Sequence, residues 1–409
     1  MNGSEQVTSG NSEWARGWQT VVSGMFGCSL VALVPATLGI VLAPLEEAFG
    51  WSRATVSSTV FIIAVLALII APVAGRLIAR WGPRRVALTS TMLSAFGFLA
   101  FAGAGGSEWT WWAASACLGL LSAAGGPIVW TTGVTRTFDR HRGLAMAVVL
   151  SGSGLAFMTV PIAALAILKA FGWQAIFLLF AALAVFLYFP LTWLWFAREP
   201  SSASPHLPAA APAAPGKQED RSAMMTIHFW LMALFVILVG AVEGALTVHL
   251  FPILKEGGIE ATTAAAVISG FGIALAAARL LSGVLLDKIA APLVMGLVII
   301  GLAVSNLIAW QGATTLTGAL AITLTLGFGC GGTTSSLAVL ISRYFAASTY
   351  ASVFGVLIST LGLCYGLAPM LAAHVHKLTG SYVALFPVFL GMLAGAAIIL
   401  IVFAQKSKG

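Results

Sequence analysis

Residues 262–288 read TTAAAVISGFGIALAAARLLSGVLLDK, an apolar run carrying one cation, Arg279, well inside it. At 1.5 Å of rise per residue, about 20 apolar residues cross the hydrocarbon of a bilayer, so a helix of this length spans it. Arg279 then sits within the membrane, where such a charge costs roughly 2.5 to 3.5 kcal/mol on insertion scales and has to face protein or a water-filled cavity. It needs an anion. That anion is either another residue of the chain or a substrate.

The rest of the chain repeats the pattern. Hydrophobic residues make up 59% and charged residues 8%, with a mean hydropathy of +1.00. A soluble globule would carry about 25% charged residues. The uninterrupted apolar runs also exclude a transmembrane barrel, whose strands alternate over about ten residues. Twelve apolar segments follow one another from Trp18 to 404, so the expected fold is all-α, with twelve transmembrane helices. A polar tail covers 1–17, six spans fill 18–196, a Pro/Ala/Ser-rich linker covers 197–225, six more spans fill 226–404, and 405–409 form a second short tail. The linker composition is that of a flexible connector.

The formal charge of +7 reflects topology and does not point to nucleic acid. Of the 20 Lys and Arg, 15 fall at one face of the membrane and four at the other, with Arg279 between. The positive-inside rule makes the richer face cytoplasmic, with both termini on that side. The expected location is therefore the cell inner membrane, multi-pass. Cys28, Cys117, Cys330 and Cys364 lie singly in apolar runs, which indicates neither a disulfide framework nor a metal site. No P-loop lysine follows the Gly-rich runs, and no nucleophile with a base is present in the spans, so no cofactor and no enzyme activity are expected.

The halves repeat at an offset of 208 residues. Pro44 aligns with Pro252, Gly75 with Gly283, Leu77 with Leu285, Gly119 with Gly327, Ser151 with Ser359, Gly154 with Gly362, Pro161 with Pro369 and Gly172 with Gly380. Eight matches at one offset mark a duplicated six-helix unit, giving two pseudo-symmetric bundles with the substrate site between them.

On these residues the chain resembles the major facilitator superfamily. The loop GRLIARWGPRR (Gly75 to Arg85) is similar to that superfamily's motif, with Ala79 where an acid is usual; the second half keeps the acid in GVLLDK, at Asp287 and Lys288. Within the superfamily it looks most like the monocarboxylate porter and oxalate/formate antiporter group, through EWARGW, PLEEAFGWSR (Pro44 to Arg53), RTFDRHRGLAMAVVLSGSGLA and RLLSG with Asp287. The resemblance implies transport of small organic carboxylates, with Arg279 receiving the carboxylate. Three features of that group are missing. Ala36, not lysine, follows Pro35; Leu275 stands one turn before Arg279; and Ser359 to Ala373 holds no Lys or Arg. One intramembrane cation suits one carboxylate.

A guanidinium fork pairs with a carboxylate bidentately, and the alternative for Arg279 is a permanent internal ion pair. Glu243, flanked by Gly240, Ala241, Gly244 and Ala245, is the candidate for proton coupling; it can equally bridge to Arg279 or stay protonated against a neighbouring helix. His249, six residues on, faces elsewhere on the helix; a place near the outer mouth is weighed against a relay role. Span five offers Ser151 and Ser153. Ser151, Thr333, Thr334 and Tyr365 join Arg279 as candidate substrate ligands, and Trp130 and Phe157 as candidate walls for an apolar tail. Each of these can instead be ordinary packing or a hydroxyl bonded to its own helix. A gate is expected where Asp287 and Lys288 meet the start of span five at Arg140 and Arg142, assisted by Gly75, Arg84 and Arg85; the N-terminus of that helix favours an anion.

The sequence thus predicts a secondary carrier of small organic monocarboxylates, coupled to protons, working as a monomer in the lipid bilayer. Two alternatives stay open. One is a proton-driven efflux carrier in which Glu243 binds a cationic, drug-like compound; the other is a membrane ligand sensor that transports nothing.

Overall fold

The computed structural model describes residues 3–139, 141–197, 223–312 and 314–406. Among them every regular element is helical. The elements are α1 (Gly3–Phe49), α2 (53–81) and α3 (83–102), α4 (Glu108–Thr135), α5 (Arg142–Phe171), α6 (Trp173–Trp195), α7 (Ile227–Glu256), α8 (Ala261–Lys288), α9 (Ala291–Trp310), α10 (Leu316–Tyr344), α11 (Ala347–Thr379) and α12 (Leu385–Lys406). Eleven continuous stretches are long and apolar enough to cross a membrane. The longest, Arg53–Ala102, has 50 residues. At 1.5 Å per residue that is about 75 Å, enough for two crossings of a hydrocarbon core of about 30 Å. Gly82, with φ 79° and ψ 158°, breaks it in the middle. Twelve crossings result.

The helix ends follow local chemistry. Ser52, Thr226 and Thr315 cap α2, α7 and α10 by accepting from the backbone N–H of Thr55, Phe229 and Gly318. Gly172 and Gly380, paired across the repeat, close α5 and α11 at φ 83° and 75°. Both need a positive φ, but ψ differs, 174° at Gly172 and 2° at Gly380, so only the second is a left-handed cap. Helices also outrun the apolar segments: α7 continues to Glu256 and α11 to Thr379, because charge ends the hydrocarbon span without ending the helix. The polar tail is helical where it is described. Residues 3–17 continue α1 as helix, and Glu13 accepts from the backbone N–H of Asp139 and His141 at 3.4 and 3.3 Å. Those are the free N–H groups ahead of α5, which an acid satisfies. The linker lies outside the described residues except at its two ends.

Exposed tryptophans ring both ends of the bundle. Trp18, Trp81, Trp193 and Trp230 lie toward the face bearing Arg84 and Arg142, called here the basic face; Trp109 and Trp310 lie toward the opposite, Arg53 face. Between the rings, Ile69, Phe96, Phe186 and Ile398 point outward. This is the pattern of a lipid-facing band with aromatic belts.

Three helix pairs join the halves: α1 with α7, α2 with α11, and α5 with α8. All three use glycine. A Cβ on Gly39 would come within 2.7 Å of the Val248 carbonyl, one on Gly366 within 2.7 Å of the Phe61 Cα, and one on Gly154 within 2.6 Å of the Gly272 carbonyl. Backbone therefore packs on backbone, as in membranes where small residues let helices approach. The last two pairs are equivalent under the duplication, yet Gly362, the counterpart of Gly154, has open space around it. The two symmetry-related contacts are not alike.

Candidate functional site

α8 places Arg279 about 14 Å from its end at the basic face and about 27 Å from its start, at 1.5 Å per residue. The side chain is half-buried, so it borders internal space. Its Nη1 donates to the Ser153 hydroxyl at 2.7 Å and to the Leu150 carbonyl, both on α5 in the other half. No carboxylate among the described residues lies within 4.0 Å of it. Glu243, Tyr365, Cys28 and Cys330 lie within its electrostatic reach without forming an ion pair. The internal bridge between Glu243 and Arg279, open in the sequence, is not formed in this structure.

Glu243 is 3% exposed on α7 and accepts a short hydrogen bond from the Thr333 hydroxyl of α10. The Gly329 carbonyl of α10 lies 3.1 Å from the same Thr333 oxygen and competes for its single hydroxyl hydrogen. Next to Glu243 the α7 backbone packs closely on another helix. Gly244 lies against Tyr365 of α11, whose carbonyl a Cβ would meet at 2.4 Å. Pro369 lacks the N–H that would normally bond that carbonyl in the helix, and this opens the approach.

The other predicted residues separate into groups. Phe157 packs edge-on to Phe271 at 4.9 Å and so stands where α5 meets α8, one turn from Ser153. Thr334, next to Thr333, is half-buried on another face of α10, and Tyr365 is half-buried beside Thr247. Ser151 turns back to the Val148 carbonyl at 2.6 Å; Ser153, two residues on, is the one that meets Arg279. Trp130 is 1% exposed, donates to the Gly125 carbonyl at 2.8 Å, lies over Gly27 and meets Phe196 edge-to-face inside the first bundle. That makes it a wall of the bundle and not of the Arg279 site.

His249, for which the sequence weighs a place near the outer mouth against a relay role, joins a cluster at the Arg53 face. It is 0% exposed, and its Nε2 lies 2.8 Å from the Pro369 carbonyl while its Nδ1 lies 2.8 Å from the Tyr382 hydroxyl. The carbonyl fixes hydrogen on Nε2, so Tyr382 donates to Nδ1. Both nitrogens are committed away from Glu243. Tyr382 in turn accepts from Arg53 Nη1 at 3.2 Å, and the same nitrogen donates to Glu256 at 3.3 Å. Arg53 Nε donates to Glu46 at 3.1 Å, and His376 stands 2.7 Å from Glu256. Six side chains from α1, α2, α7, α11 and the turn before α12 thus knit the halves at the Arg53 face. The sequence marked Glu46 and Arg53 in PLEEAFGWSR and His249 near one mouth, but nothing in it joined them to Glu256, His376 and Tyr382, each an ordinary polar residue near a span end.

At the basic face Arg142 donates to Thr135 and Phe138 carbonyls at 3.2 Å and to Asp139 at 3.3 Å, sealing the end of α4. Arg84 Nη2 donates to the Trp193 carbonyl at 2.6 Å. These arginines cap carbonyls within their own half. Arg85 and Lys288 are exposed, and an added Cβ on Gly75 meets nothing. Arg140 and the side chain of Asp287 lie outside the described residues, and with them the expected gate contact.

A duplicated set of twelve apolar helices around one membrane-buried cation defines a polytopic membrane carrier. The chain belongs to the Major Facilitator Superfamily, whose sequence pattern matches residues 24–369. It is 26% identical over 391 residues to Monocarboxylate transporter 13 of Bos taurus, covering 94% of this chain and 88% of that one. It is 30% identical over 278 residues to Monocarboxylate transporter 11 of Homo sapiens, covering 65% and 55%. Among solved structures, the nucleoside transporter NupG superposes with a TM-score of 0.71 at 13% identity over 96% of this chain and 99% of that one. That likeness concerns the fold alone.

Proposed function

We propose that this transporter carries small organic monocarboxylates by alternating access, with Arg279 as the carboxylate ligand and Glu243 as the proton-coupling group. The observation that carries the reading is the state of Arg279: a membrane-embedded guanidinium whose described partners are a hydroxyl and a carbonyl, both neutral. An unbalanced cation at mid-membrane is stabilised by an incoming anion, and a charge-assisted, bidentate pair is about twice as strong as a neutral hydrogen bond. Relatives named as monocarboxylate transporters support the same substrate class. Glu243 lies near enough to sense that cation electrostatically while hydrogen-bonded to Thr333. A proton on its carboxyl would leave the site charge at +1 for the substrate to neutralise; its loss would compete with the substrate. Coupling needs only this difference.

The basic face is assigned to the cytoplasm of an inner membrane, with both termini there, on the excess of Lys and Arg. The Arg53 cluster then closes the outer side. The deciding experiment is uptake of radiolabelled monocarboxylates into proteoliposomes holding the purified chain, with and without an inward proton gradient. Gradient-stimulated, saturable uptake is the expected result. Uptake of cations driven by an opposite gradient, with no carboxylate moved, would replace this reading with the efflux one.

A further inference from the structure

Arg279 is held at one nitrogen only. Nη1 serves both the Ser153 hydroxyl and the Leu150 carbonyl, while Nε and Nη2 make no hydrogen bond within the described residues. A guanidinium presents two parallel N–H groups along its Nε–Nη2 edge, the edge that takes a carboxylate side-on. The anchored corner and the free edge belong to one rigid plane, so fixing Nη1 aims the fork.

The anchor is unusual in its origin. α5 is interrupted at Ser151, with Arg142–Leu150 before it and Gly152–Phe171 after it. The Leu150 carbonyl at this break is where Arg279 binds. The segment is itself clamped on two sides: a Cβ on Gly152 would fall 1.8 Å from the Met25 carbonyl of α1, and one on Gly154 lies against Gly272 and Ala276 of α8. Ser153 therefore projects from a backbone that cannot shift without moving α1 or α8.

We propose that Ser153 is a positioning residue for the carboxylate: by holding Arg279 Nη1 across the interface between halves, it presents the Nε–Nη2 edge to substrate. The inference rests on the reading of Arg279 as the carboxylate ligand. It has a consequence for the cycle. The arginine comes from one half and its anchor from the other, so the fork is aimed only while α5 and α8 are together at this level. Affinity is then tied to the state of the interface, and Ser153 sets that tie while never touching the substrate.

Two measurements test it. Initial uptake rates of propionate and benzoate are measured in proteoliposomes for the wild type, Ser153→Ala and Ser153→Thr. Loss of one neutral anchor is expected to raise KM about 3- to 10-fold with Vmax within about twofold, the range of a single hydrogen bond; the threonine variant, which keeps the hydroxyl, restores KM. A fall in Vmax at unchanged KM, a lower KM, or no change overturns the proposal. Independently, thermal unfolding of the ligand-free chain is followed for Ser153→Ala, Arg279→Gln and the double variant, with Arg279→Lys replacing Arg279→Gln should the latter not fold. Non-additive midpoints are expected for a real anchor. Additive midpoints overturn it whatever is transported. Non-additive midpoints with neither acid taken up by the wild type would refute the monocarboxylate reading and reduce the contact to a structural one, so the two failures are told apart.

Discussion

Two arginines reach from one half of the molecule to the other, and they are treated differently. Arg53, at one face, meets two carboxylates, a phenol and an imidazole; Arg279, at mid-membrane, meets a hydroxyl and a carbonyl. Water near Arg53 lowers the cost of its charge, yet that is where the chain supplies counter-ions. Arg279 pays the larger desolvation cost and receives none from the described residues. A charge that is fully matched holds a structure together, whereas one left unmatched where charge is most expensive is a place for an anion that comes and goes.

Breaking the comparison at Arg279 should have the largest effect. Arg279→Ala is expected to lower carboxylate uptake at least about 30-fold, as for loss of one partner of a buried charge pair, while the protein still inserts and elutes as a folded species. A variant that transports normally would remove Arg279 from the site. Next comes Glu243→Gln, whose amide oxygen still accepts from Thr333. It should lose accumulation driven by a proton gradient and retain exchange of labelled for unlabelled substrate; gradient-driven uptake at the wild-type level would clear Glu243 of coupling.

The Arg53 side gives smaller changes. Arg53→Gln removes the ion pair to Glu256 across the halves, together with the same-half pair to Glu46, a loss of about 2- to 5-fold in the closed population for a partly exposed cluster. Labelling of a reporter cysteine at Phe251, in a chain whose four native cysteines are serine, should speed up by that factor, and an unchanged rate would deny the cluster any closing role. The smallest effect concerns Tyr382 alone. Burial pushes its phenol up to about 12, against the pull of Arg53. A raised value favours the protonated form in the folded state, so its contribution is complete below pH 10 and fades as pH climbs through about 12. Comparing the phenolate absorbance of the wild type with Tyr382→Phe should show one late-titrating tyrosine; a normal titration would mean the cluster is open to water.

The same contrast explains what could be read from residues alone. Twelve spans and their duplication follow from apolar length and the 208-residue offset, properties that need no tertiary information. Arg279 was legible because a cation within an apolar run stands out. Ser153 was visible only as one of two serines, since choosing between Ser151 and Ser153 requires knowing how the helix turns at its own break. The Arg53 cluster was legible only in pieces. Glu46 and Arg53 fall in PLEEAFGWSR, while Glu256, His376 and Tyr382 come from distant parts of the chain, each an unexceptional residue at a water-facing helix end. His249 shows the cost: sequence sets it six residues from Glu243, while its partner is Tyr382, 133 residues away.

The bare contact of Gly154 with Gly272 carries a mechanical consequence. Side chains that interlock across an interface must disengage before two bodies can turn against each other, and each disengagement is a barrier. Here Gly154 and Gly272 meet backbone to backbone near mid-depth, with the Ala276 methyl and the edge contact of Phe157 with Phe271 beside them. A contact of this kind suits a pivot, and Arg279 lies seven residues further along α8, close to the axis of any such tilt. A methyl group at either glycine would put grit in the bearing, slowing turnover even where binding is intact.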